Sequence, residues 1–458
     1  MLLSWPVPVL RLCQAAVACR SGNGSINPIL EFIFLVKPTV RSDRPVRADS
    51  NQREVGSLSS LATKEVLVIF GMVFAADMVS GIVSPTFSLY AKSLGASLVL
   101  IGALSAVVGL TTILSSVSIG VFTDIIGRKR VLSGGMLLLA GTAFGYSVAP
   151  SPYLLFPARV MAGLAFCSTF FVGAAHLGDV VTASDRELAI GVYTTSMGLG
   201  FALGPTIGGV IVTIAGYRPS YRVAAAFALA GFALVHFGLA DQVQRPPWGH
   251  IRDRLSRLLP GHRPKRLSTV LGEPGLLSVS LANVAMSAVF GGAIVNFFPI
   301  HAASLSTSQE TIGYLFSIRA LVSTVIRIPT GLLASKVSSQ RLVFFALLLA
   351  ASVMFWLPLT TGPMVLAVCL AAEGVAWGVF FTAGQASVIG QSDRTSRGTA
   401  MGVYGMAGSI GSTVGSIVLG LIADTSGVIA VFRATGITVL AGAGILLVLS
   451  MGRQRIAC

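Results

Sequence analysis

The chain repeats itself at one fixed offset. Gly120 matches Gly331, Arg130 matches Arg341, Arg186 matches Arg397, and Gly191-Val192-Tyr193 matches Gly402-Val403-Tyr404. Gly200, Gly204 and Arg222 match Gly411, Gly415 and Arg433 in the same way, and every pair is 211 residues apart (331 − 120, 433 − 222). A spacing held over so many positions marks two copies of one unit. The repeated stretches are mostly apolar, so both units are expected to lie in a membrane. A duplicated membrane bundle is the plan of carriers whose site lies between the halves.

Composition points the same way. Hydrophobic residues make up 54% of the chain and charged residues 11%, where a soluble domain of this size would be roughly a quarter charged. A hydrocarbon core about 30 Å thick takes about 20 apolar residues per helix. Spans of that length fall at 66–90, 98–121, 131–149, 153–177, 189–214, 222–240, 275–300, 311–334, 342–360, 363–388, 400–423 and 428–450. The expected fold is therefore an all-α membrane protein of twelve helices in two six-helix bundles, 62–241 and 274–452, joined by a polar linker at 242–273 and ending in a tail at 453–458. Cys13, Cys19, Cys167, Cys369 and Cys458 show no paired or metal-ligand spacing, so neither a disulfide framework nor a metal site is expected.

Lys and Arg are unevenly distributed between the connecting loops. One set of loops carries Arg128, Lys129, Arg130, Arg186, seven linker cations, Lys336, Arg341, Arg394 and Arg397, while the other holds Lys92, Arg218, Arg222 and Arg433. The positive-inside rule places both termini and the linker in the cytoplasm, with the protein in the plasma (inner) membrane. The net charge of +15 is explained by that topology, and no nucleic-acid partner is expected. Residues 1–61 are Arg-rich with few acids. They read as an organellar presequence, a disordered tail or a start codon placed too early.

Three segments carry chemistry. Between the second and third spans stands Gly120-Val-Phe-Thr-Asp124-Ile-Ile-Gly127-Arg128-Lys129-Arg130. Gly120 allows close helix approach, Asp124 suits the positive N-terminus of a helix, and Arg128 and Arg130 suit acids or lipid phosphates. The fifth span holds Gly191, Gly200, Gly204, Pro205, Gly208 and Gly209, small residues that let backbones touch, with a proline that bends the helix. The first span places Asp77 eight residues before Pro85 and near the bilayer centre, where a carboxylate costs roughly 2.5–3.5 kcal/mol on the insertion scale.

The loop pattern resembles the cytoplasmic signature of the major facilitator superfamily, and the fifth-span pattern resembles that of its drug:proton antiporter branch. Asp77 with Pro85 resembles the first helix of twelve-helix multidrug and vesicular amine exporters. Arg159 followed by Gly163 resembles the family's fourth-helix motif. The resemblance implies export of an amphipathic, cationic or neutral small molecule in exchange for protons by alternating access, with 120–130 as a conformational latch; the alternatives are a proton-coupled symporter or facilitator for a metabolite such as a sugar or organic anion, and a non-transporting membrane receptor. It implies a monomer and no cofactor.

Asp77 and Glu373 are the acids deep in spans, and so the proton-site candidates. Arg159 is expected to pair with Asp77 and Arg319 with Glu373, while Arg327 is expected to snorkel. His176 and His236 read either as proton relays or as packing residues. Phe87, Phe170, Phe171, Phe290, Phe297, Phe380 and Phe381 are candidate walls of an apolar site. The fifth span, rather than its cognate the eleventh, is expected to seal the halves together, because Gly415-Ser416 has lost the proline. No phosphate-binding loop, zinc cluster or catalytic triad is present, which argues against an enzyme and against ATP-driven transport.

Overall fold

The computed structural model describes residues 63–182, 185–240, 273–334, 336–392 and 397–456. The tail 1–61 and linker residues 242–272 lie outside them. Twelve helices among the described residues are long and apolar enough to cross a membrane. In the first half these are α1 (Lys64–Ser93), α2 (Leu98–Ile126), α3 (Arg128–Val148), α4 (Pro152–Val180), α5 (Arg186–Ala215) and α6 (Tyr217–Gly238). The second half contributes α7 (Gly275–Ser304), α8 (Gln309–Ala334), α9 (Ser339–Leu359), α10 (Pro363–Gln391), α11 (Arg397–Ser426) and α12 (Val428–Ile456).

Each helix of the second half begins 211 residues after its cognate (275 − 64, 363 − 152, 428 − 217). The duplication therefore runs without a gap from α1 to α12. Even the turns correspond. Gly95 closes α1 with φ 92°, and Ser306, its cognate, closes α7 at φ 59°, a left-handed conformation that costs a non-glycine residue about 1–2 kcal/mol.

Two helices widen to π geometry along their length. α4 widens to a π turn at Cys167–Phe171 and α7 at Ala288–Ile294, a deviation that recurs at functional sites. Within the halves α1 packs on α5 and α6, α3 on α6, α8 and α9 on α10, and α7 on α11; between the halves α5 meets α8, α2 meets α11, and α1 meets α7. One apolar core runs across both halves, joining Phe87, Tyr90 and Ile101 to Phe297, Phe298 and Phe316. A second, around Ile69, Met72, Met136 and Leu177, stays within the first half.

Candidate functional site

The surface between the halves is set by small residues along four helices. On α2 and α11, a Cβ built on Gly102 would collide with the Ser416 carbonyl and lie 3.2 Å from Gly420 Cα, and one on Gly109 would collide with Thr413 Oγ1. On α5 and α8, a Cβ on Gly209 would lie 2.6 Å from the Gln309 carbonyl and 3.2 Å from Gly313 Cα. One turn on, Thr206 N–H donates to Ser317 Oγ at 3.1 Å and the two hydroxyls lie 2.8 Å apart. Gly102 and Gly313 are cognates, as are Gly209 and Gly420, so one glycine contact is made twice about the pseudo-twofold.

Further along the same helices the contacts stop. A Cβ on Gly120, Gly191, Gly331, Gly402 or Gly405 would meet nothing within 4 Å. The halves thus touch at the end bearing the α1–α2 and α7–α8 turns and part at the other end, where Arg128, Lys129, Arg130, Arg186, Lys336, Arg341 and Arg397 lie.

Inside this crevice is a cavity of about 380 Å³. Phe87, Phe166, Phe170, Phe201 and Phe290 give it apolar walls, and both π turns border it. Of the seven aromatic residues expected there, Phe87, Phe170 and Phe290 are present; Phe297 and Phe380 are buried in the core, Phe171 is exposed, and Phe381 lies under Arg327. Towards the closed end the lining turns polar. Ser105 Oγ donates to Asn296 Oδ1 at 2.6 Å across the halves, and Asn296 Nδ2 donates to the Gly291 carbonyl at 2.7 Å and to Ser416 Oγ at 3.1 Å. Asn296 was legible as an amide within an apolar span, but its partners were not.

The buried charges are arranged differently from the sequence expectation in one of two cases. Arg319 and Glu373 pair as expected: Nη2 donates to Oε1 at 3.0 Å, Nε contacts Oε2, and both residues are fully buried. Arg319 also stacks on Phe290 at 4.4 Å. Arg159 and Asp77 do not pair. The Arg159 guanidinium lies 3.3 Å over the Phe87 ring, while Asp77 is packed against Gly200 of α5. Arg327 of α8 stacks 4.5 Å over the Phe381 ring of α10. His236 stacks on Phe232, as a packing residue would.

The fifth-helix motif also divides. Gly204 and Gly208 pack on α1 within their own half: a Cβ on Gly204 would lie 2.6 Å from the Met78 carbonyl, and one on Gly208 would lie 2.9 Å from that of Ile82. The Pro205 carbonyl and Gly209 face α8, while the Pro205 ring lies against Gly81 of α1. Because α11 makes the cognate contact through Gly420, the seal belongs to both helices and not to α5 alone. In the loop motif, Gly127 with φ 92° turns the chain from α2 into α3, Arg128 forms an ion pair with Asp179 of α4, and Arg130 lies in the first turn of α3. The Asp124 side chain lies outside the described residues. The close approach expected at Gly120 is not made, since that end of the crevice is open.

Comparison with known proteins agrees with this architecture. The chain is 19% identical over 379 residues to an uncharacterised MFS-type transporter of Methanocaldococcus jannaschii, covering 82% of this chain and 95% of the relative. It is 26% identical over 179 residues to multidrug resistance protein 1 of Bacillus subtilis, covering 39% of this chain and 46% of that relative. A bacterial homologue of the human lysosomal transporter Spinster, solved in an inward-facing, unoccupied conformation, superposes with a TM-score of 0.71 at 14% identity, covering 85% of this chain and 97% of the other. The sequence profile of the Major Facilitator Superfamily matches residues 69–293 and 279–455. A gapless duplication of six helices around a shared cavity, with that match running almost its full length, makes this multi-pass membrane protein a non-enzymatic carrier of the Major Facilitator Superfamily.

Proposed function

We propose that the protein exports amphipathic small molecules in exchange for protons by alternating access, as a monomer in the plasma membrane with both termini cytoplasmic. The observation that carries this reading is the splay of the two glycine-lined helix pairs, in backbone contact at one end and parted at the other around a central cavity. The cations gathered at the open end support a cytoplasmic opening, so the structure represents the inward-open state. Asp77 is the proton site in this reading. Proton exchange there changes the charge buried against Gly200 of α5, the helix whose other face meets α8, and so biases how the halves lie. The fifth-helix pattern favours antiport over symport, and the likeness to a multidrug resistance protein favours export. Asp77 does not line the cavity, so its expected role as the substrate's charge partner finds no support in the lining.

The test is flux in proteoliposomes across a panel of lipophilic probes under an imposed pH gradient. Antiport predicts that substrate moves against the proton flow and that substrate addition releases a measurable proton counterflow. Movement with the proton flow, or flux indifferent to the gradient, would overturn the antiport reading.

A further inference from the structure

Charge in the cavity is one-sided. Among the described lining residues the one formally charged side chain is Arg159. Glu373 is engaged by Arg319, and neither Asp77 nor Asp185 lines the cavity. Arg159 has the faces of Phe87 and, at 5.7 Å, Tyr146 beside it, and its Nε makes no hydrogen bond. Ser84 Oγ, which also lines the cavity and is 8% exposed, has no partner either.

Arg159 is partly exposed at the cavity wall, so a molecule that displaces water from its guanidinium must supply an anion and hydrogen-bond acceptors in its place, since a cation–π contact returns only about 2 kcal/mol. Tyr146 is a polar protein group beside Arg159, while Arg159 Nε and Ser84 Oγ have no hydrogen-bond partner. We propose that the substrate supplies the acceptors: the transported molecule carries an oxyanion head group, a carboxylate or phosphate, that accepts from Arg159 and Ser84, while its apolar body lies against Phe166, Phe170, Phe201 and Phe290. The planar guanidinium fork suits two acceptor oxygens of one head group, and the cavity volume is that of a site for a drug-sized molecule. This rests on the reading of the cavity as the substrate site, and it replaces a cationic or neutral substrate by an anionic one.

Three probes matched in their apolar part separate the charges: 1-naphthaleneacetate, its neutral amide, and naphthylmethyl trimethylammonium. Occupancy is read as protection of Ser409→Cys, a cavity position on α11, from a maleimide, in full-length protein whose five native cysteines are replaced. In phosphatidylcholine nanodiscs the carboxylate should protect at a concentration at least tenfold below the amide and the ammonium. Arg159→Gln should bring the carboxylate to the level of the amide, and Arg159→Lys should keep part of the preference. A wild-type preference for the ammonium, equal protection by all three, or a carboxylate preference undiminished in folded Arg159→Gln overturns the proposal. If Arg159→Gln does not fold, the wild-type ranking and Arg159→Lys decide it. Protection by none of the three overturns the cavity reading itself. Repeating the assay in phosphatidylglycerol separates a free amphiphile from an anionic lipid: protection by the lipid alone assigns the head group to the bilayer.

Discussion

Asp77 and Glu373 are both buried acids, but they are held in different ways. Glu373 meets a guanidinium through two contacts inside one half, which is how a structural pair is built. Glu373→Ala should cost about 3–5 kcal/mol by leaving Arg319 charged in the core, and replacing both with Leu and Met should recover most of that loss. Thermal unfolding in detergent measures both effects; full stability of the single variant would show that Arg319 finds another partner. Asp77 is different: it packs against Gly200 of α5 without an ion pair to a described residue. Asp77→Asn should keep the fold, abolish uphill transport and spare downhill exchange, and uphill transport at the wild-type rate would remove Asp77 from the coupling scheme. The contrast also explains what could be read from the sequence. Hydropathy showed that Asp77, Arg159, Arg319, Arg327 and Glu373 sit within apolar spans. It does not encode which helix each face meets, so a partner within the same half was inferred correctly for Glu373 and wrongly for Asp77.

Helix α5 shows the same limit at the level of the element. Successive residues turn by 100°, so Gly200, Gly204 and Gly208, four apart, share one face, and Gly209 lies on another. That division was available from spacing alone, whereas the assignment of one face to α1 and the other to α8 required the structure. The two faces should respond differently to a single methyl group. Gly204→Ala places a carbon 2.6 Å from the Met78 carbonyl and 2.7 Å from Gly81 Cα. It should lower the thermal stability of the first half by about 1–3 kcal/mol, the usual cost of overpacking. Gly209→Ala should leave each half folded but loosen the contact with Gln309 and Gly313, raising the reactivity of a cysteine introduced at Ser317. Unchanged labelling there, with equal stability losses in both variants, would mean that the two faces do one job.

The twelve spans and the 211-residue offset were legible because both are periodic along the chain, and periodicity survives in one dimension. The parted end was not, because the same sequence must also fit the state in which that end is closed. If the halves rock as rigid bodies, Gly102→Leu should force the closed end apart and bring the open end together. Spin labels at Phe122 and Met406, both exposed, should then move closer by several ångströms; an opened outer end with an unchanged distance would mean that the halves bend instead of rocking. The geometry is that of a lever. Gly102 to Gly120 is 18 residues of helix (120 − 102), an arm of about 27 Å at 1.5 Å per residue, so each ten degrees of rotation about the glycine contacts moves the mouth by about 5 Å. Compliance at such a fulcrum would be magnified in the same proportion at the tip. Bearings made of backbone and short side chains such as Thr206, Ser317 and Thr413 leave little to flex between them and keep the stroke reproducible.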